Sequence, residues 1–356
     1  MDIGVQVIFS SQGWPGISDS QVYDEDTSLA LLAEELGFDV VWAVEHHFFD
    51  YSYCPDNIEW LAYIAGRTSR VDLGTAAVIM PWNDPLRVAE RIALLDQVSG
   101  GRVRFGMGRG LSRREFALFP GISMDESRQR FDEASTMVRE ALATGFIEGG
   151  GPFYPQPRAP IRPAPSRSFV GRTYAVASSD DSVEAAARLG ARMVMFADRA
   201  WKSRLAGIER WRSLHREFHG TEAPRPLICD FVYCHHEAAV ATERGPRYLA
   251  TYLESVLEHY EVMGTHFETT TGYEAYATAA GALRRMGQGG FIRGFLDATA
   301  HGTPGEILDN YRARWELIGP FDVAPAFRFG GIPYAEAEAA MRLFAAEVIP
   351  ELRSWG

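Results

Sequence analysis

The run Ala43-Val44-Glu45-His46-His47-Phe48 sets two imidazoles and a carboxylate directly after the strand-like segment Phe38-Asp39-Val40-Val41-Trp42. Histidine is the side chain best suited to move a proton near neutral pH. An adjacent pair gives one ring to a reacting centre and another to hold the arrangement. The plainer alternative is a strand end whose histidines only hydrogen-bond backbone groups.

Three further constellations could bind a ligand. Thr75-Ala76-Ala77-Val78 is a patch of small residues against which a flat molecule could lie close to backbone, unless it is ordinary strand packing. In Arg104-Phe105-Gly106-Met107-Gly108-Arg109-Gly110-Leu111, glycines flank Arg109, so backbone and guanidinium can converge on an anion. A surface arginine in a turn has the same form, and the glycine spacing is not a dinucleotide fingerprint. Ala177-Ser178-Ser179-Asp180-Asp181-Ser182 opens a helix, where hydroxyls and free N–H groups make a phosphate site or simply cap the helix. No metal site is expected, because His46 and His47 point to opposite sides if extended and His235-His236 lacks a third ligand. The absence of a G-x-S-x-G elbow argues against a serine hydrolase.

The elements that must position these groups alternate between strand-length apolar runs and helix-period segments, the pattern of βα units around a parallel sheet. Strands are expected near residues 3–9, 38–44, 71–79, 102–108, 170–177, 191–197, 226–234 and 321–328. Eight strands close a barrel, so the predicted fold class is α/β, a (β/α)8 TIM barrel spanning residues 1–356 as a single domain. The four constellations fall at the ends of strands 2, 3, 4 and 5, hence on one rim. Helices are expected over residues 26–36, ended by Gly37, and over 85–98, 125–144, 238–263 and 333–352. Two insertions break the rhythm. Residues 110–168 follow the fourth strand, and residues 264–302, carrying Thr269-Thr270-Thr271-Gly272 and Gly287-Gln288-Gly289-Gly290, precede the last βα unit as a mobile lid or a surface loop.

The 356 residues are 46% hydrophobic and 23% charged, enough for a sizeable core. A net charge of -12 with no basic, aromatic-interleaved stripe argues against nucleic acid. Without an apolar run of membrane length, and with a strand at the very N-terminus, a cytoplasmic location away from membranes is expected. Three cysteines, Cys54, Cys229 and Cys234, with no C-x-x-C pair give neither a disulfide framework nor a zinc knuckle.

At these residues the chain resembles the bacterial luciferase-like family of flavin-dependent monooxygenases. The match is carried by Glu45-His46-His47-Phe48, Gly74-Thr75-Ala76-Ala77, Leu94-Leu95-Asp96-Gln97-Val98-Ser99-Gly100-Gly101-Arg102 and the Arg104 to Leu111 run, and it resumes at His301-Gly302-Thr303-Pro304. The nearest likeness within the family is to luciferase itself, the two-component type supplied with reduced FMN by a separate flavin reductase.

The resemblance implies reduced FMN at the C-terminal mouth of the barrel, with O2 as co-substrate and a small apolar, carbonyl-containing molecule as the compound oxygenated. It implies His46 as the catalytic histidine with Glu45 and His47 beside it. Arg109, Ser179 and Ser182 would grip the phosphate with Ser178 nearby, and Leu111 would also face the cofactor. Ala76-Ala77 would be a cis peptide under the flavin ring. Trp14, Phe48, Tyr53 and Trp82 are candidates for an apolar substrate wall, or for plain core. Gly108, Ser178 and Asp84 replace a reactive cysteine, a glutamate and a histidine of luciferase, which argues against light emission from a long-chain aldehyde. A homodimer is also implied, with helices 2 and 3 as its candidate interface. Two alternatives keep the barrel: a hydride-transfer enzyme using coenzyme F420, and a non-catalytic flavin-binding subunit.

Overall fold

The computed structural model describes residues 1–11, 14 and 16–355, apart from the side chains of Met286 and Gln288. Eight strands pair in chain order, all parallel: β1 Gly4–Val7, β2 Val40–Ala43, β3 Asp72–Thr75, β4 Val103–Gly108, β5 Thr173–Val176, β6 Arg192–Phe196, β7 Leu227–Phe231 and β8 Asp322–Ala326. A parallel bridge between Ile3 and Val323 closes the ring. The fold is the TIM barrel expected, and each strand lies within its expected segment. Helices cover the outside, so the strands are nearly continuous in burial.

The barrel is plugged from within. Trp42 on β2 is fully buried and meets Tyr174 edge-on at 4.8 Å. Glycine on both neighbouring strands makes room for it: a Cβ at Gly74 would lie 2.2 Å from the indole and one at Gly4 2.7 Å. At the N-terminal ends of the strands, Arg104 pairs with Asp2 and Asp72, and Arg192 with Asp322. The strand ends at the opposite rim are left to hold a ligand.

Local details depart from the expected boundaries for physical reasons. The first helix, Asp19–Leu36, begins before the apolar stripe because Ser18 caps it, accepting a hydrogen bond from the Gln21 N–H. It ends at Gly37 in the left-handed conformation. The third strand is interrupted at the cis peptide Ala76-Ala77, after which Val78–Ile79 pairs with Met107 and Gly108 of β4. The C-terminal helix breaks into Tyr334–Glu347 and Ile349–Ser354, since Pro350 has no N–H to continue it. Residues 110–168 hold the helix Ser127–Thr144 and the hairpin Phe146–Gly149/Gln156–Pro160. Residues 264–302 are largely helical, Glu274–Met286 and Gln288–Ala298, with Phe267, Tyr273 and Ala280 in a small apolar cluster that includes Phe116 and Met124.

Candidate active site

A largely apolar cavity of about 700 Å³ opens at the C-terminal ends of the strands. Its wall includes Glu45 and His46 after β2, Ala76, Ala77 and Trp82 after β3, Arg109 and Leu111 after β4, and Ser178 and Ser182 after β5. Four separate stretches of sequence thus meet around one space. Ser179 stands just behind, buried, its hydroxyl 3.0 Å from that of Ser182.

His46 is the imidazole placed to act in this space. Its Nδ1 lies 3.1 Å from Glu115 Oε1, and its Nε2 lies 3.4 Å from the Tyr260 hydroxyl, with Tyr260 also on the cavity wall. Glu115 comes from the short helix Arg113–Phe116 and also accepts the His47 backbone N–H at 2.7 Å. Its other oxygen lies 3.5 Å from His259 Nε2. Burial pushes the Glu115 carboxyl up, but the charge and hydrogen bond of His46 and the nearby His259 ring outweigh this and hold it well below the usual range. Burial drives His259 the other way, against its contact with Glu115, so that ring favours its neutral form.

An anion cradle lies on the far side. Arg109 is buried, and its Nη1 lies 3.4 Å from Asp181 Oδ2, which also accepts from Arg128 Nε at 3.1 Å. The Ser179 hydroxyl donates to the other Asp181 oxygen. The backbone N–H groups of Ser178 and Ser179 both point at Ser182 Oγ, at the N-terminus of the helix Asp180–Arg188. The half-exposed Asp181 carboxylate is thus held by two guanidiniums and a hydroxyl, a donor set of the kind that suits an oxyanion. Small residues, Ala76, Ala77 and Gly108, line the same cavity. Gly108 packs so closely that a Cβ there would lie 3.3 Å from Ala77 Cβ and 3.0 Å from Ile79 Cδ1.

Several expected site residues lie elsewhere. His47 is not on the cavity wall: its ring is packed among aromatics, 5.4 Å from Trp82 and 5.0 Å from Phe119, with Nε2 3.4 Å from Glu45 Oε1. Glu45 has both oxygens engaged, accepting from the Ile79 N–H at 2.9 Å and from Asn83 Nδ2 at 3.0 Å, so it braces the loop after β3. Trp14 is drawn away by the cation of Arg328, 4.2 Å from its ring. Phe48 has a φ of 70° and turns outward, 56% exposed. Tyr53 packs on Tyr23, which leaves its neighbours Tyr51 and Ser52 facing the cavity. Trp82 alone of the four lines the space, stacked on Phe119 at 5.0 Å.

Glu115, His259, Tyr260 and Arg128 were not anticipated. They lie on insertions or on a late helix, and nothing local in the sequence marks them. His46, Glu115 and His259 bring three ligand-type atoms within 4.8 Å of one another. Glu115 Oε1 already serves the His46 ring and the His47 N–H, so two donors converge on one buried carboxylate oxygen.

A family model described as luciferase-like monooxygenase matches residues 1–320. The chain belongs to that family. The alkanal monooxygenase alpha chain of Photorhabdus luminescens is 26% identical over 350 residues, 95% of this chain and 94% of that one. The monooxygenase RslO1 from Streptomyces bottropensis superposes with a TM-score of 0.82 at 28% identity, covering 99% of each chain. Two more distant structures share the fold alone. The oxygenating constituent of 3,6-diketocamphane monooxygenase from Pseudomonas putida, in complex with FMN, gives a TM-score of 0.72 at 17% identity, covering 99% of this chain and 98% of that one. The coenzyme F420 dependent tetrahydromethanopterin reductase from Methanopyrus kandleri gives 0.70 at 18% identity, covering 99% of each.

Proposed function

We propose that this luciferase-like monooxygenase is the oxygenating half of a two-component system that takes reduced FMN from a separate flavin reductase and oxygenates a small apolar, carbonyl-containing substrate with O2. The observation that carries this reading is the placement of His46 and Arg109 on the wall of one apolar cavity. The residues fit FMN: the donors that hold the Asp181 carboxylate accept a phosphate once that half-exposed side chain turns to solvent, and the small residues Ala76, Ala77 and Gly108 lie on the same cavity wall. Reduced FMN bound there would supply the electrons that activate O2.

The protein's own contribution follows from its side chains. Arg109, Arg128 and the Ser179 hydroxyl, the donors now on Asp181, anchor the charged tail. Aromatic residues such as Trp82, Phe231 and Tyr252 exclude water from the reacting centre. His46 Nε2, beside the Tyr260 hydroxyl, gives and takes the proton. The chain acts as a homodimer through its second and third helices, Asn57–Ala65 and Pro85–Val98, where Tyr63, Leu94 and Val98 are exposed. No helix among the described residues is long and apolar enough to cross a membrane, and we place the reaction in the cytoplasm.

The decisive experiment supplies reduced FMN from an added reductase and presents aldehydes, cyclic ketones and terpenoids in turn. Products carrying one oxygen atom from labelled O2 are expected. Hydrogen peroxide with every substrate, and no labelled product, would remove the monooxygenase reading.

A further inference from the structure

Glu115 is 1% exposed, yet it is held ionised, and a buried carboxylate is costly unless donors surround it. The donors are specific. The His47 backbone N–H lies at 2.7 Å and His46 Nδ1 at 3.1 Å, both on Oε1, while His259 Nε2 lies 3.5 Å from Oε2. A carboxylate can only accept, so Nδ1 of His46 must carry hydrogen, and Nε2 is left as the nitrogen that changes its proton count towards the cavity.

The two imidazoles are not equivalent. His46 lines the cavity and its side chain is 17% exposed, whereas that of His259 is 1% exposed and its ring stacks on Tyr51 at 4.4 Å and 15°. Both ring nitrogens of His259 and Glu115 Oε2 are buried without a hydrogen-bond partner of their own. Closing the 3.5 Å gap between Nε2 and Oε2 satisfies two of these atoms at once. The groups facing the pair are Glu115, the hydroxyls of Tyr51 and Tyr260, and, towards His259, the cation of Arg114. Among them Glu115 is the single anion, and it lies within hydrogen-bond distance of the more exposed ring, His46.

We propose that Glu115 is the positioning residue of His46, fixing its Nδ1–H tautomer through the 3.1 Å contact, and that His259 holds Glu115 in place as a donor. Glu115 borders the cavity, but its Oε1 is engaged by His46 and the His47 N–H, and His259 lies off the cavity wall; both act through His46. The link to turnover rests on the monooxygenase reading, but the link to His46 does not.

The test is histidine-selective NMR on the full chain without ligand, with the His46 signals assigned by their loss in His46→Gln. Nitrogen shifts of the wild type should show hydrogen on Nδ1 of His46, and an Nε2–H tautomer overturns the proposal without any variant. In Glu115→Gln, with folding verified by thermal melting, the His46 titration midpoint should fall by about one pH unit or more, because an anion within hydrogen-bond distance is gone. Glu115→Asp should restore part of the shift, and His259→Gln, which keeps a donor, should move it less. An unmoved midpoint in folded Glu115→Gln overturns the proposal. With reduced FMN and substrate, the acid limb of the kcat profile should follow the same order while KM changes less than about twofold. Should the midpoint move while the wild type oxygenates nothing, the positioning role stands and the monooxygenase reading falls.

Discussion

The guanidinium of Arg109 lies 4.0 Å from the centroid of the Tyr273 ring, and its Nη1 donates to the Gly272 carbonyl at 2.8 Å. Tyr273 donates its own hydroxyl to the Gly110 carbonyl at 2.8 Å. The residue proposed to grip a phosphate thus also seats the segment 264–302, and two events that share a side chain are thermodynamically linked. We expect FMN to alter the rate at which protease cuts within 264–302, and riboflavin, which has no phosphate, to leave it unchanged. Equal effects of the two ligands on the cleavage pattern would dissolve the link.

Arg109→Ala should weaken FMN by about ten- to a hundredfold, the loss of one or two charge-assisted hydrogen bonds, while riboflavin affinity stays within about twofold. Fluorescence quenching titrations measure both. A parallel titration with F420 separates the flavin reading from its deazaflavin rival, since tighter binding of F420 than of FMN would favour hydride transfer.

His46→Ala should cost about 10² to 10⁴ in turnover with flavin affinity near normal, because the ring moves a proton and does not hold the cofactor. Product formation at saturating substrate gives the ratio. An unchanged yield would take His46 out of the reaction.

Glu115 also ties stability to pH. A carboxylate held below its ordinary value of 4.5 in the folded state contributes stability that is present above that value and lost as pH falls through the folded one. The melting-temperature gap between wild type and Glu115→Gln should therefore be widest near neutrality and shrink below pH 4.5. A gap that widens on acidification would contradict the sign.

Leu94 and Val98 are 52% and 61% exposed and sit one turn apart on the helix Pro85–Val98. An apolar pair left open this way suits a second copy of the chain better than water. Leu94→Glu combined with Val98→Glu should convert a dimer to a monomer in light scattering, with the circular dichroism spectrum kept. A wild type that is already monomeric would place the pair outside any interface.

The barrel was legible because each strand is an apolar run bounded by turn chemistry, and the rim was legible because His46, Ala76, Arg109 and Ser178 each follow such a run. What failed was side-chain direction. Phe48 and Tyr53 flank a catalytic-looking stretch, but a left-handed backbone at Phe48 and the packing of Tyr53 on Tyr23 carry them away from the cavity. The adjacent pair His46-His47 splits likewise, one ring to the cavity and one to an aromatic nest. Glu115 and His259 could not be read at all. A buried acid between two rings is a tertiary arrangement, and neither residue sits in a pattern that distinguishes it from a helix-surface charge or a core histidine. The helices within 264–302 were hidden by their glycines, which suggested a loop where Phe267 and Tyr273 supply enough apolar surface to anchor a packed element.

The indole of Trp42, wedged between two glycine-bearing strands, makes the barrel a cup and not a tube. What enters to react is therefore received at the strands' C-terminal ends, where Tyr276, Leu283, Phe291 and Phe295 of residues 264–302 form part of the vessel's wall.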